Sequence, residues 1–422
     1  MLLALSSYHY IIIFSATIII SYFFTLYAKK TGVPSVLMLI GLGFLINYLL
    51  LFLGVEKPDL LPILEVLGAV GLVLILLEAA LDLKILKKKL FLIFKSLLVS
   101  FLGLAGTAYM GAYVLSFLLE SSLLNNLLYT IPMSILSSAI ILPSIGDLEE
   151  EKKEFMVYES TFSDIWGIVG FYSVLNLLGS TENIHAVQND IFNNLLVSFF
   201  FSVIISYLLI FIFQKITSSV KLFLLISVLL LLYSLGNIFN LSSLLIILIF
   251  GLVLNNYRLF FVGGLKNLIN TEQVEKVLSD VRLVSAESAF VMRTFFFIIF
   301  GWSVSLASLF NLKVIFLGSC LLAVIYLVRL IVLFVFNGKN IFPQVFLAPR
   351  GLITILLFFA IPEEFSVGPE FKGVLLFVIL SSCLIMSWSL VKQKSLVRGV
   401  DEKEGVAPEK TELNTDLENL EE

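Results

Sequence analysis

The sequence predicts an all-α polytopic membrane protein with about thirteen transmembrane helices. Three observations carry that expectation. The 422 residues are 59% hydrophobic and only 14% charged, against about 25% charged in an average soluble chain. Apolar runs of spanning length recur from one end to the other. Basic residues gather in alternate connections between those runs.

The runs fall at 8–28, 34–54, 60–82, 92–119, 127–147, 155–179, 191–213, 220–236, 240–257, 284–307, 312–336, 343–362 and 371–391. The eighth and ninth are the least clearly divided, with only Gly236, Asn237 and Asn240 between them. With the N-terminus outside, the internal connections hold fifteen basic residues, from Lys29 to Lys339. The external ones hold three, Lys57, Lys313 and Lys372. One missing span would reverse every later connection, so the asymmetry implies an odd count, N-terminus outside and C-terminus inside. The membrane domain is expected over 1–391, followed by an acidic, disordered cytoplasmic tail over 392–422. Residues 401–422 hold nine acids against Lys403 and Lys410 and account for the net charge of −4.

Other chemistry is sparse. Cys320 and Cys383 both lie in apolar runs, which suggests neither a disulfide framework nor a thiolate metal site. His9 and His185 fall at predicted membrane edges. No basic residue precedes the first apolar run, and that run is too long for a secretory signal. No nucleophile–base or metal constellation points to an enzyme, and nothing points to a cofactor or to nucleic acid.

Two runs contain helix breakers. The fifth reads LLYTIPMSILSSAIILPSIGDL, with Pro132 and Pro143 bracketing Ser137 and Ser138. The twelfth reads FPQVFLAPRGLITILLFFAIP, with Pro349, Arg350 and Gly351 in its first half. Proline removes a backbone donor and glycine weakens the turn. Broken helices at membrane depth are tolerated where they line a polar cavity. Two of them in matching positions of two halves point to a transporter site. Seven spans separate these two, so they run in opposite directions, as inverted repeats require.

The sixth run, FMVYESTFSDIWGIVGFYSVLNLLG, places Glu159 and Asp164 inside an apolar helix. A carboxylate at mid-membrane costs about 2.5–3.5 kcal/mol even on insertion scales, so it marks a cation or proton site. At 1.5 Å per residue from Phe155, Asp164 is about 14 Å deep and Glu159 about 6 Å. Five residues apart, they point about 140° away from each other, so they cannot share a proton on one face. Asp164 shares its face with Ser160, and Glu159 with Ser163. Arg329 on the eleventh run reaches the depth of Glu159, which makes an ion pair the natural expectation. Arg293 on the tenth is level with Asp164, as a counter-charge or as a partner of a backbone carbonyl. Arg350 stands where a broken helix exposes carbonyls, and stabilising the C-terminal end of a half-helix suits it. Ser160, Ser163 and freed carbonyls around Ser137 and Ser138 would add oxygen ligands suited to Na⁺ at Asp164.

These stretches resemble the monovalent cation:proton antiporter superfamily, in its sodium/proton exchanger group. EVLGAVGLVLILLEAALDLKIL (65–86) looks like that family's third span. ESTFSD (159–164) is similar to its Glu-Ser-x-x-Asn-Asp pattern. SAFVMRTFFFIIFG (288–301), YLVRLI (326–331) and APRGLITILLFFAIP (348–362) resemble later spans, and the matches run in order through most of 30–390. The resemblance implies a homodimer with inverted repeats, a dimerisation domain and a mobile core domain moving elevator-like. It implies Asp164 as the ion- and proton-binding residue, Glu159 and Arg329 as the supporting pair, and Arg350 in the second broken helix. Two departures stand out: Ser163 replaces Asn or Asp, and Ser-Ser-Ala replaces the Thr-Asp-Pro of many members.

The expected function is antiport of Na⁺, or K⁺ or Li⁺, against H⁺ by alternating access. With a single acid at the paired position, electroneutral exchange is expected. The expected setting is a bacterial inner (plasma) membrane. The alternatives are an uncoupled channel-like or sensor module of the same fold, and an organic-anion symporter using Arg293 or Arg350 as its clamp.

Overall fold

The computed structural model describes residues 7–52, 61–85, 87–146, 148–179, 184–216, 221–238 and 243–404. Helices account for the regular structure there: α1 Ser7–Thr31, α2 Ser35–Phe52, α3 Leu61–Asp82, α4 Leu90–Leu119, α5 Leu123–Ser134, α6 Ser138–Ser144, α7 Glu150–Gly179 and α8 Ile184–Phe213. They continue as α9 Lys221–Ile238, α10 Ser243–Asn255, α11 Tyr257–Phe260, α12 Thr271–Ser303, α13 Leu312–Asn337, α14 Leu352–Phe359 and α15 Phe371–Glu404. Among the described residues, seven helical segments are long and apolar enough to cross a membrane. One of the seven is the pair α5–α6 taken together. Most apolar runs read from the sequence fall largely within helix among the described residues, whereas the fifth and twelfth are interrupted.

Local chemistry sets the ends. Asn270 accepts from the backbone N–H groups of Glu272 and Gln273 at the start of α12. Asn311 accepts from Lys313 N–H at the start of α13. Each satisfies donors that the first helical turn leaves free. Gly338, with φ of 68°, ends α13. Helix α15 continues to Glu404, past the boundary expected at 391, so the start of the expected disordered tail is helical. Straight-chain Lys, Gln, Leu and Glu there propagate a helix already nucleated in the membrane segment. Residues 405–422 of that tail lie outside the described residues.

The helices form two packed groups. In the first, α12 packs on α2 and α3, α10 on α3, α8 and α9, and α1 on α2. In the second, α4 packs on α5, α7 and α13, α13 on α15, and α14 on α5. The groups meet where α3 touches α14 and α6, α12 touches α14, α1 touches α6, and α7 touches α8. The α2–α12 seam is backbone on backbone: a Cβ at Gly43 would sit 2.2 Å from Ile298 O, and one at Gly301 2.3 Å from Ile40 O. The periphery is apolar, with Phe91, Phe117 and Leu312 each 82% exposed. A soluble protein does not leave such a surface, whereas lipid covers it.

Candidate functional site

The fifth run folds as two helices separated by a stretch of extended backbone. Pro132 inside α5 has no N–H for the helical ladder, α5 ends at Ser134, and Ile135 and Ser137 are extended before α6 begins at Ser138. The twelfth run divides likewise. A 3₁₀ turn at Gln344–Phe346 gives way to non-helical backbone through Gly351, where α14 starts. The two interruptions are joined: Ser137 N–H donates to Pro349 O at 3.0 Å. Gly351 is needed at this contact, because a Cβ there would lie 2.3 Å from Ser137 Oγ.

Asp164 reaches this junction from α7. It is 1% exposed, and its Oδ2 accepts a hydrogen bond from Ser138 Oγ. Its other oxygen, Oδ1, is buried with no hydrogen-bond partner among the described residues. A buried carboxylate oxygen without a partner is costly; a monovalent hard cation or a proton is the kind of group that could supply what it lacks. Among the described residues, no trio of His, Cys, Asp and Glu converges as a multivalent metal site would require.

The serines separate into distinct roles. Ser163 Oγ accepts from Leu136 N–H at 3.0 Å and so satisfies the extended backbone between α5 and α6. Ser160, expected on the face of Asp164, is buried and turns its hydroxyl onto Val157 O at 3.3 Å. Ser137 contributes its backbone N–H to the junction, with its hydroxyl beside Gly351.

Glu159 and Arg329 form a two-pronged pair, Nη1–Oε1 2.8 Å and Nη2–Oε2 3.1 Å. Arg329 Nε also donates to Gln344 O at 2.9 Å, so the pair ties α7, α13 and the second interruption together. Arg350 is 2% exposed; its Nε donates to Met133 O at 2.5 Å and its Nη1 to Ala348 O at 3.0 Å. Met133 lies in the last turn of α5, so the guanidinium sits where carbonyl oxygens concentrate negative charge. Ser382 Oγ accepts from Arg350 N–H at 3.1 Å and holds that stretch of backbone against α15. Beside these groups is a cavity of about 20 Å³, lined in part by Ser134, Glu159, Ser163, Arg329 and Arg350, large enough for one water.

Arg293 is placed differently from the expectation. Its guanidinium faces α3, where Nη1 meets Glu78 Oε2 at 3.0 Å and Nη2 meets Oε1 at 3.4 Å. Its charge is therefore matched by Glu78, and no contact joins it to Asp164. Depth along a helix fixes height but not rotation about the axis. In the sequence Glu78 stands only within the 65–86 stretch, with no partner expected for it. The signal available was the helical spacing of Gly68, Gly71, Glu78 and Asp82, which puts this acid on the face carrying the close-packing glycines. Of the charged residues, the buried ones in the described chain are Asp164, Glu159, Arg329 and Arg350.

Comparison with known proteins identifies the family and the fold. Residues 15–392 match the transmembrane sodium/hydrogen exchanger family, and the chain belongs to that family. It is a multi-pass integral membrane protein. No curated protein sequence matches it. Its fold is similar to that of the sodium proton antiporter MjNhaP1 from Methanocaldococcus jannaschii. Against the structure at pH 8 the TM-score is 0.68 at 18% identity, covering 90% of this chain and 98% of the other. Against the electron-microscopy structure of that antiporter the TM-score is 0.69 at 17% identity, covering 93% and 97%.

Proposed function

We propose that this protein exchanges a monovalent cation, Na⁺ first with K⁺ or Li⁺ as alternatives, for H⁺ by alternating access. The observation that carries the reading is Asp164: a buried carboxylate beside two joined helix interruptions, with one oxygen held by Ser138 and the other without a partner. Proton and cation then compete for one group, and a site reached in turn from either side produces antiport. Ser137, Ser138, Ser160 and Ser163 are the neighbouring hydroxyls, and Glu159 with Arg329 holds α7 and α13 in register. A single carboxylate at the site supports one-for-one, electroneutral exchange. Family membership and the antiporter fold support a transporter rather than an enzyme. The two helix groups fit a static and a moving body, and the alternation of basic residues supports thirteen crossings with the N-terminus outside. A homodimer in a bacterial inner membrane completes the reading.

The organic-anion alternative needs a free guanidinium. Arg350 is held by carbonyls and Arg293 by Glu78, so the structure does not favour it. The test is ΔpH-driven cation flux in proteoliposomes with Na⁺, Li⁺ and K⁺. Asp164→Asn, folded by gel filtration, abolishes flux, and apparent cation affinity in the parent falls as pH drops. Normal exchange by Asp164→Asn rejects the assignment.

A further inference from the structure

The short link between α3 and α4 joins the two helix groups, and it is held from both sides. Asn256, between α10 and α11 in the first group, grips it at two points. Its Nδ2 donates to Leu83 O at 2.8 Å and its Oδ1 accepts from Ile85 N–H at 2.6 Å. Asn255 adds a bond to Leu83 O at 2.9 Å, and Arg282 on α12 donates to Leu81 O at 3.0 Å and to Asn255 Oδ1 at 2.8 Å. Residues 81–85 therefore belong mechanically to the first group. Lys84 O, in the middle of the gripped stretch, accepts instead from the second group: Tyr158 Oη, on α7, donates to it at 2.6 Å. The Tyr158 ring stacks on Phe162, with centroids 6.4 Å apart, and is 6% exposed.

We infer that the Asn256–link–Tyr158 bridge is a latch that holds the two helix groups in the arrangement described here and opens when they move past each other. This rests on the alternating-access reading. A hydrogen bond of this kind does not survive stretching beyond about 3.5 Å. A relative shift of the groups by several ångströms must therefore release Tyr158 from Lys84 O or tear the link from Asn256. Asn256 holds by two bonds supported by a second asparagine and an arginine, whereas Tyr158 holds by one, so Tyr158 is the end that lets go. Tyr158 precedes Glu159 in α7, the helix that carries Asp164, so the latch acts on the body that would carry the ion.

The test uses the full chain in liposomes, with spin labels on Ser279→Cys of the first group and Lys339→Cys of the second, in a Cys320→Ser background. Tyr158→Phe keeps the ring and removes only the bond. It is expected to raise the population ratio of the second inter-label distance to the first by roughly two- to tenfold, the weight of one net hydrogen bond. Asn256→Leu removes the bonds to Leu83 O and Ile85 N–H, but Asn255 and Arg282 still grip Leu83 O and Leu81 O, so it is expected to give a smaller shift in the same direction. The double variant is expected to add little beyond Tyr158→Phe alone, because the bonds act in series. Distributions for Tyr158→Phe and Asn256→Leu that superimpose on the parent overturn the latch. So does full additivity in the double variant. Cation/proton exchange is measured in the same liposomes. Absence of exchange by the parent counts against the transport reading separately, whatever the distances show.

Discussion

Removing Arg329 should be among the most damaging single changes in this protein. Arg329→Leu leaves the Glu159 carboxylate, 1% exposed, without its counter-charge and leaves Gln344 O without its donor. At about 4 Å between charge centres and an effective dielectric of about 20, the lost attraction is about 4 kcal/mol. That agrees with the 3–5 kcal/mol typical of breaking one side of a buried pair. Glu159→Gln should cost less, about 1–3 kcal/mol, because the amide oxygen still accepts and Arg329 keeps Gln344 O. Replacing both, as Glu159→Met with Arg329→Met, should recover much of the loss, since apolar side chains of similar volume carry no stranded charge. The swap Glu159→Arg with Arg329→Glu should recover only part, because a carboxylate at 329 cannot donate to Gln344 O. The assay is thermal melting of detergent-solubilised protein followed by size-exclusion chromatography. The expected order of stability is parent, double methionine, Glu159→Gln, Arg329→Leu. An Arg329→Leu protein that melts with the parent, or a double variant that loses the sum of the singles, refutes the reasoning.

Other outcomes follow from contacts elsewhere in the molecule. Gly43→Ala and Gly301→Ala place a methyl within 2.2 and 2.3 Å of backbone oxygens. Each should cost about 1–3 kcal/mol by forcing α2 and α12 apart, read as a lower melting temperature. Gly351→Ala meets Ser137 Oγ at 2.3 Å and should reduce cation flux more than it reduces the yield of folded protein. Arg293→Gln strands Glu78; Arg293→Gln with Glu78→Gln should be more stable than Arg293→Gln alone, as a thermal melt of the three proteins will show. Outside the membrane segments, the backbone at Glu370 and then the Lys313 ammonium hold the Glu370 carboxyl below the ordinary glutamate range. A depressed carboxyl stabilises the fold above its unfolded value and loses that contribution as pH falls through the folded one. Acid sensitivity from this pair should begin below about pH 4.5, and Lys313→Met should lessen it in melts taken between about pH 6 and 3.

Much of the site was legible from spacing alone. A spacing of five positions from Glu159 to Asp164 puts them on different faces, and the structure gives them separate partners, Arg329 and Ser138. Equal depth of Glu159 and Arg329 on two helices was enough to pair them, because each charge had to find a partner at that height. Pro132 and Gly351 marked where the helices stop. Rotation was not legible. Arg293, expected level with Asp164, faces Glu78 instead, and only packing of α12 on α3 decides that. Ser160 shares the face of Asp164 by helical spacing, but its hydroxyl has a nearer acceptor in Val157 O. Nor could the sequence show that Arg350 would reach Met133 O across 217 positions of chain, since that contact exists only once the two interruptions meet.

Asp164, Glu159, Arg329 and Arg350 all sit in the second helix group, and with Asp164 ionised their formal charges cancel. Loaded with Na⁺ or with H⁺, these four side chains and their ion carry one positive charge in either case. Moving one charge fully across the membrane against 100 mV takes about 2.3 kcal/mol. In the proposed cycle that work is opposed on one stroke and returned on the other. The membrane voltage would then set which side the protein waits on, while leaving the ion gradients alone to drive exchange.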